Sequence, residues 1–280
     1  MKGPLEVKQG DAELSCCPEL TERVFVGKCL RAAEAIKVLL EKDIKPRDLI
    51  TKESLENALV STMVMCGSTN SVLHYLAIAH SADIHDFTLD DFQRVANKVP
   101  VLADLKPSGK YMVADLVDIG GFPAVLKFLI HAGLINGSIP TVTGKTLREN
   151  VWSAPSLDPS QDMIRPLGDP IKETGHIRIL RGNLAPGGAV AKITGKEGRR
   201  FTGKAMVFDK EDDLNARIFK GDIDPNEYIV FCVRYEGPKG GPGMVSYLSF
   251  LFFSFALYST SFGTWWLALD SFGRDFEGFE

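Results

Sequence analysis

The sequence predicts an α/β protein in which a mainly helical first part is followed by a β domain of barrel or sandwich type. Up to about Asn150, apolar residues recur at the three- and four-residue spacing of helices. Residues 153–175 are rich in Pro, Ser and Asp, which is typical of a loop or a domain boundary. After residue 176 the apolar runs become short and lie between turn-forming stretches, which is typical of strands.

The first three predicted helices cover residues 21–44, 53–65 and about 70–80. Pro46 disfavours continuation of the first one. Each helix carries an apolar stripe at helical spacing, which predicts that this side packs in the core. The stripes consist of Cys29, Ala33, Ile36 and Leu40 in the first helix, Leu55, Ala58, Leu59, Thr62 and Met63 in the second, and Val72, Leu73, Leu76 and Ala77 in the third.

The fourth helix has the clearest start signal in the chain. Thr88 is a predicted N-cap, and Asp91 follows three residues later. Phe87 and Phe92 flank this start at the spacing of a hydrophobic staple.

The fifth helix begins at Pro123 and ends before Gly133, because proline suits the first turn of a helix and glycine suits its end. Beyond the boundary, alternating or short apolar runs predict four strands. They cover residues 176–180, 189–193, 204–208 and 228–233.

Charge and cysteine usage exclude several classes of protein. The 280 residues include 32 basic and 36 acidic side chains, so no basic footprint for nucleic acid is present. The five cysteines include no C-x-x-C pair, and the five histidines show no spacing typical of metal ligands. The residues alone therefore predict neither a disulfide scaffold nor a self-contained metal site.

The two ends of the chain differ in character. The first residues lack the apolar segment of a signal peptide, so the compartment cannot be deduced from them. Val245–Leu269 is uncharged and long enough for a membrane span, but it is rich in Phe and Ser and has acidic residues after it. We favour read-through of a retained intron, or an error in the gene model, as the origin of residues 245–280, which would make them an unrelated apolar tail. A membrane segment, which the composition disfavours, and a buried hairpin are the alternatives.

Two polar loops are candidate binding sites. The first contains Ser68, Thr69 and Asn70 between two predicted helices, where hydroxyls and free N–H groups suit a carboxylate or phosphate. The second contains Lys106 and Ser108 in a loop with two cations and a glycine. From spacing alone, a plain helix cap and a solvated loop are the alternatives. The run Thr143–Thr146 lacks the first glycine of a nucleotide-binding loop, so a nucleotide site is rejected.

Six motifs occur in one order along roughly residues 20–244. They are Lys45-Pro-Arg-Asp-Leu-Ile, Gly67-Ser-Thr-Asn-Ser-Val-Leu-His, Val101-Leu-Ala-Asp-Leu-Lys-Pro-Ser-Gly-Lys-Tyr, Thr141-Val-Thr-Gly-Lys-Thr-Leu, Arg181-Gly-Asn-Leu-Ala-Pro-Gly-Gly and Gly237-Pro-Lys-Gly-Gly-Pro-Gly-Met. Together they resemble the dihydroxy-acid dehydratases of the dihydroxy-acid/6-phosphogluconate dehydratase family. The sugar-acid and 6-phosphogluconate dehydratases are alternatives within that family.

The resemblance implies a hydro-lyase that converts 2,3-dihydroxy-3-methyl acids to 2-oxo acids in branched-chain amino-acid biosynthesis. It also implies an iron–sulfur cluster and Mg²⁺ as cofactors, a homodimer, and a mitochondrial location in a eukaryote. It implies the back half of an α/β domain over residues 1–165 and a truncated β-barrel-like domain over residues 176–244.

The family's cluster motifs Cys-Asp-Lys and Ser-Cys-Gly-Ala-Cys-Gly do not occur in this sequence. No catalytic residue and no metal ligand is therefore assigned, and we expect the chain to be inactive alone. Two other functions stay open. One is a non-catalytic partner that binds an anion or pairs with a full-length dehydratase, and the less favoured one is a membrane-tethered protein.

Overall fold

The computed structural model describes residues 18–194, 202–221, 223–224, 227–235 and 265–266. The chain divides into two compact units, residues 1–175 and 176–280. The predicted apolar tail lies outside the described residues except for Trp265–Trp266, and so does the motif that begins at Gly237.

The first unit is helical, and all five predicted helices are present in it. Proline stands near the start of the fifth, and Gly133 follows its end with φ 70°. Two short α-helices and one 3₁₀ helix were not predicted. The helices are α1 Pro18–Glu41, α2 Pro46–Leu49, α3 Lys52–Val64, α4 Asn70–Ser81, α5 Leu89–Lys98, the 3₁₀ helix Val113–Ile119, α6 Gly121–His131 and α7 Leu147–Val151.

The core of this unit forms around α3 and α5. The stripe predicted for α3 is confirmed, since Leu55, Leu59 and Met63 are buried. In α4 the burial is partial, because Val72 is fully buried whereas Ala77 is exposed. The larger side chains with no more than 2% exposure that fill this core include Leu59, Met63, Val64, Val72, Phe92, Leu102, Val125, Leu129 and Ile164.

The core packing predicted for the stripe of α1 is wrong. Ile36 and Leu40 are 58% and 77% exposed, and Cys29 and Ala33 are exposed as well. Helical spacing shows that a helix has an apolar side, but it does not identify what covers that side.

The start of α5 confirms the predicted cap and staple. The Thr88 hydroxyl accepts a hydrogen bond from the Asp90 N–H, and the Asp91 carboxylate accepts one from the Thr88 N–H. The rings of Phe87 and Phe92 meet edge to face with their centroids 5.3 Å apart. The acidic side chains in this first turn also interact favourably with the helix dipole.

Asp91 makes the stability of this unit depend on pH. Burial alone would raise its pKa, but a hydrogen bond from Arg94 and one from the Thr88 N–H act the other way. Together with the charges of Lys52 and Arg94 they hold the pKa of Asp91 below its ordinary value of 3.8. The charged carboxylate therefore stabilises the folded state above the unfolded-state pKa, and this contribution is lost as the pH falls through the lower folded-state pKa.

We expect Asp91→Asn to lower the free energy of unfolding by at least about 1 kcal/mol at pH 7. The difference in free energy of unfolding between the variant and the wild type should narrow as the pH falls below the ordinary carboxyl pKa of 3.8 and through the lower folded-state pKa of Asp91. Urea unfolding of both proteins at several pH values measures this difference. A difference that stays constant down to the lowest pH would contradict this role of Asp91.

The described residues of the second unit form two small sheets and one helix. The elements are β1 Ile177–Leu180, β2 Ala189–Lys192, β3 Lys204–Phe208, α8 Glu211–Phe219, β4 Ile229–Val233 and β5 Trp265–Trp266. All four predicted strands are present, β1 pairs with β2 in antiparallel fashion, and β3 and β4 run parallel. Helix α8 lies between β3 and β4 in the chain and was not predicted.

A small apolar cluster holds α8 against the parallel sheet. Leu214 and Ile218 of α8 are buried together with Ile229 and Phe231 of β4. Within the described residues neither sheet closes into a barrel, so the barrel-like domain stays a prediction.

Candidate functional site

The first candidate loop follows the end of α3, where the backbone turns sharply. Cys66 has φ 53°, in the left-handed region that side chains other than glycine rarely adopt. The Gly67 N–H donates to the Thr62 carbonyl at 3.0 Å. A Cβ at Gly67 would lie 3.0 Å from Cγ2 of Thr62, so glycine lets the chain pass close to α3.

Ser68, Thr69 and Asn70 then lead into α4. The Ser68 hydroxyl accepts a hydrogen bond from the Asn70 N–H at 3.2 Å, and its carbonyl accepts one from the Ser71 hydroxyl at 2.8 Å. Thr69 is the N-cap residue, but its side chain makes no capping bond. Across the part of the chain that the structure describes, the side chains of Thr69 and Asn70 make no hydrogen bond, so both can bind a ligand.

The second candidate loop is a tight turn closed by its own backbone. The Gly109 N–H donates to the Leu105 carbonyl at 2.7 Å, and the Lys106 N–H donates to the Tyr111 carbonyl at 2.7 Å. A Cβ at Gly109 would lie 2.2 Å from the Asp104 carbonyl carbon, which is impossible without moving the backbone. Glycine is therefore a steric requirement of this loop.

Backbone hydrogen bonds place the second loop beside the first. The carbonyl of Val64, at the end of α3, accepts from the N–H groups of both Leu102 and Ala103, at 3.1 and 3.0 Å. As a result, Sγ of Cys66 and Oγ of Ser108 lie 3.4 Å apart. Residues that are 42 positions apart in the sequence thus meet at one site.

The two lysines of the second loop differ in whether their ammonium groups have a partner. Lys110 Nζ donates to the Tyr111 hydroxyl at 2.7 Å and lies 3.4 Å from a carboxylate oxygen of Asp162. The hydrogen bond to Tyr111 and then that to Asp162 raise the pKa of Lys110. Lys106 is exposed, and in the described ranges its ammonium has no partner. Lys106 is therefore the cation of this loop that can bind an anion.

Only some of the residues predicted for the site contact one another. Ser108 lies beside Cys66 at the entry to the first loop, whereas no hydrogen bond joins Ser68 to Lys106 among the described residues. Cys66 had no role in the sequence-based prediction of the site. Nor did that prediction find the ion pair of Lys110 with Asp162, which no local signal reveals because the partners are 52 positions apart.

The described side chains do not fit the metals that the resemblance implies. Among them no three His, Cys, Asp or Glu side chains come together as metal ligands. The iron–sulfur cluster, which needs several thiolates, therefore has no complete ligand set among the described residues, and both cofactors stay expectations of the resemblance. No described helix is both long and apolar enough to cross a membrane.

An open groove of about 750 Å³ lies between α2 and α4, away from both candidate loops. Lys45 and Arg47 line its rim, but each is paired with an acid, Asp43 and Asp83 respectively. None of the predicted pocket residues lines the groove, and it has no part in the proposed site.

Comparison with known proteins shows a clear family likeness. The family description "Dihydroxy-acid/6-phosphogluconate dehydratase N-terminal" matches residues 21–150, and the corresponding C-terminal description matches residues 162–259. The second match runs past Met244 into the segment predicted to be an unrelated tail, and the origin of that segment stays a prediction.

Several dihydroxy-acid dehydratases are similar in sequence to this chain. A mitochondrial one from Schizosaccharomyces pombe is 58% identical over 218 residues, which is 78% of this chain and 36% of the relative. One from Francisella tularensis subsp. novicida is 56% identical over 219 residues, 78% of this chain and 39% of the relative. A mitochondrial one from Aspergillus terreus is 54% identical over 230 residues, which is 82% of this chain and 38% of the relative. The chain thus spans well under half the length of these relatives.

Proposed function

Because the chain belongs to the dihydroxy-acid/6-phosphogluconate dehydratase family, we propose that it forms part of the substrate pocket of a hydro-lyase. The relatives are named dihydroxy-acid dehydratases, and the proposed reaction is the one that the resemblance implies, the dehydration of 2,3-dihydroxy-3-methyl acids to 2-oxo acids in branched-chain amino-acid biosynthesis. The observation that carries the proposal is the approach of Cys66 to Ser108, which brings the two candidate loops together.

The pocket loops offer groups that suit the substrate. A dihydroxy acid presents one carboxylate and two hydroxyls, all of which form strong hydrogen bonds. The Lys106 ammonium can pair with the carboxylate, and a charge-assisted bond of this kind is stronger than a neutral one. The hydroxyls of Ser68, Thr69 and Ser108 can hydrogen-bond to the substrate hydroxyls.

Dehydration removes a hydroxyl from C3 and a proton from C2, so it needs an acid or metal for one and a base for the other. The described loops contribute hydroxyls, an amide and an ammonium, and these groups bind and orient substrate. We therefore propose a positioning role for these loops. We also propose that the chain works as part of a homodimer, as the resemblance implies. In a eukaryote we propose that it works in mitochondria, because the two fungal relatives described above are named mitochondrial.

A chimera tests the proposal. The aligned region of the Schizosaccharomyces pombe relative would be replaced by this chain, and formation of the 2-oxo acid would be measured. We expect turnover, and we expect Lys106→Ala to raise KM roughly 10- to 100-fold with little change in kcat, because a charge-assisted bond contributes about 1.5–3 kcal/mol. Lys98→Ala, at an exposed position in the last turn of α5, is the matched control and should leave KM unchanged.

The outcomes separate this proposal from its alternatives. An unchanged KM in Lys106→Ala would remove Lys106 from the pocket. An inactive chimera, with the isolated chain still binding 2,3-dihydroxy-3-methylbutanoate by calorimetry, would instead favour a non-catalytic anion-binding partner. Turnover of 6-phosphogluconate in place of the branched acid would favour the sugar-acid branch of the family.

A further inference from the structure

Two histidines at the end of α4 lie side by side on the surface of the first unit. The ring centroids of His80 and His85 are 5.9 Å apart, and the planes of the two rings meet at 60°. Both residues are exposed. Among the described residues neither imidazole has a hydrogen-bond or ion-pair partner, so the ring nitrogens of both can bind a ligand.

The turn that ends α4 holds the two rings together. Asp83 has φ 62°, in the left-handed region, and its N–H donates to the His80 carbonyl at 3.1 Å. The N–H of the next residue, Ile84, donates to the Ala79 carbonyl at 2.9 Å. These two bonds form the Schellman pattern, which reverses the chain directly after a helix. His85 is thereby returned to the last turn of α4, beside His80, and sequence spacing alone does not reveal this approach.

The separation of the rings suits a shared metal ion. Neutral imidazole is a preferred ligand of zinc and of the neighbouring divalent transition metals. Because a zinc–nitrogen bond is about 2.0–2.1 Å long, two imidazoles on one tetrahedral zinc ion have centroids roughly 5 Å apart. The centroids of His80 and His85 exceed this separation by less than about 1 Å, and exposed side chains rotate freely enough to close such a difference.

The charged groups next to the pair favour nitrogen ligands over oxygen ligands as the basis of the site. Asp83 and Asp86 are its acidic neighbours in the chain, and each already has a cation, Arg47 and Lys52 respectively. The sequence between the two histidines contains no Lys or Arg that would repel a metal ion. A hard cation such as Mg²⁺, which prefers oxygen ligands, is therefore a poor occupant.

We propose that His80 and His85 together form a two-histidine site that binds a divalent transition-metal ion of the zinc class. Zinc sites built only from the protein use three or four ligands. An ion held by two histidines and completed by water therefore exchanges readily with solvent. The site lies at the opposite end of α4 from Ser68, Thr69 and Asn70, so the inference does not require the proposed activity.

Chemical modification of the histidines in the 280-residue chain tests the proposal. Diethylpyrocarbonate modifies free imidazole nitrogens, and mass spectrometry assigns each modification to its residue. We expect zinc to slow the modification of His80 and His85 at least roughly fivefold, because a nitrogen that binds the ion no longer reacts. His74, an exposed histidine of the same helix, is the internal control, and its rate of modification should not change.

Two single variants distinguish one shared ion from two separate ones. In His85→Gln zinc should no longer protect His80, and in His80→Gln it should no longer protect His85, because a lone imidazole lacks the gain of a second linked ligand. Both positions are exposed, so circular dichroism should show both variants folded. Mg²⁺ should protect neither histidine in the wild type.

Four results would overturn the inference: no protection of either histidine by zinc, equal protection of His74, protection of His80 that survives His85→Gln, or protection by Mg²⁺ as strong as that by zinc. The second would show that any surface histidine binds the ion, and the last would assign the ion to the carboxylates of Asp83 and Asp86. Protection by zinc in a chimera without turnover would sustain the inference while contradicting the proposed activity.

Discussion

Replacement of Phe92 by alanine is expected to lower the free energy of unfolding of the first unit by about 3–5 kcal/mol. Phe92 is fully buried in α5. Its ring meets that of Phe87 edge to face and lies 6.4 Å from that of Tyr75 in α4. The substitution removes the whole ring from a core that α3, α4 and α5 share, and the neighbours can collapse only partly into the space.

Urea unfolding followed by circular dichroism measures this loss, and hydrogen exchange of residues 52–98 assigns it to the first unit. Phe122→Ala is the matched control in the same unit. Phe122 is 42% exposed, so its truncation should cost about 1 kcal/mol or less. Equal losses in the two variants would contradict the central position of Phe92.

The start of α5 could be predicted because every group that defines it is local. Thr88, its cap bonds and the Phe87–Phe92 pair all lie within six residues. The stripe of α3 could be predicted as well, because the elements that cover it lie in the same unit. For α1 the same pattern failed, since spacing describes the helix and not its partner.

The parallel pairing of β3 and β4 could not be predicted from the sequence, for a different reason. The strands themselves have clear apolar runs, but the register that pairs Lys204 with Ile229 depends on the crossover through α8. Signals for α8 do exist in the sequence, namely three acids in its first turn and the helical spacing of Leu214 and Ile218. They lie among short strand-like runs, where the alternation of the neighbouring strands conceals them.

In the candidate site, the polar residues of the sequence identified the two loops but could not show that the loops contact each other. Ser108 reaches Cys66 only because the Val64 carbonyl accepts two N–H groups from a segment far along the chain. Asp162 likewise engages Lys110 across a long sequence separation, and this leaves Lys106 as the cation available to a ligand. Such long-range contacts follow from tertiary packing and leave no periodic trace in the sequence.

Gly109→Ala is expected to lower the free energy of unfolding by about 2–3 kcal/mol and to displace the second pocket loop. The added Cβ would lie 2.4 Å from the Leu105 nitrogen and 2.5 Å from the Asp104 oxygen. Both atoms belong to the backbone, so no side-chain rotation can relieve the overlap. The turn must open, and the 2.7 Å hydrogen bond from the Gly109 N–H to the Leu105 carbonyl must lengthen.

Because that turn holds Ser108 against Cys66, opening it should also separate the two loops of the pocket. Urea unfolding measures the first effect, and faster hydrogen exchange of residues 104–111 measures the second. In the chimera the same substitution should raise KM, since the binding groups lose their alignment.

Gly168→Ala is the control, because a Cβ at that position meets no atom within 4 Å, and it should change the free energy of unfolding by less than about 0.5 kcal/mol. A Gly109→Ala variant as stable as Gly168→Ala would show that this loop is free to move, and a loop free to move could not hold the two halves of the pocket together.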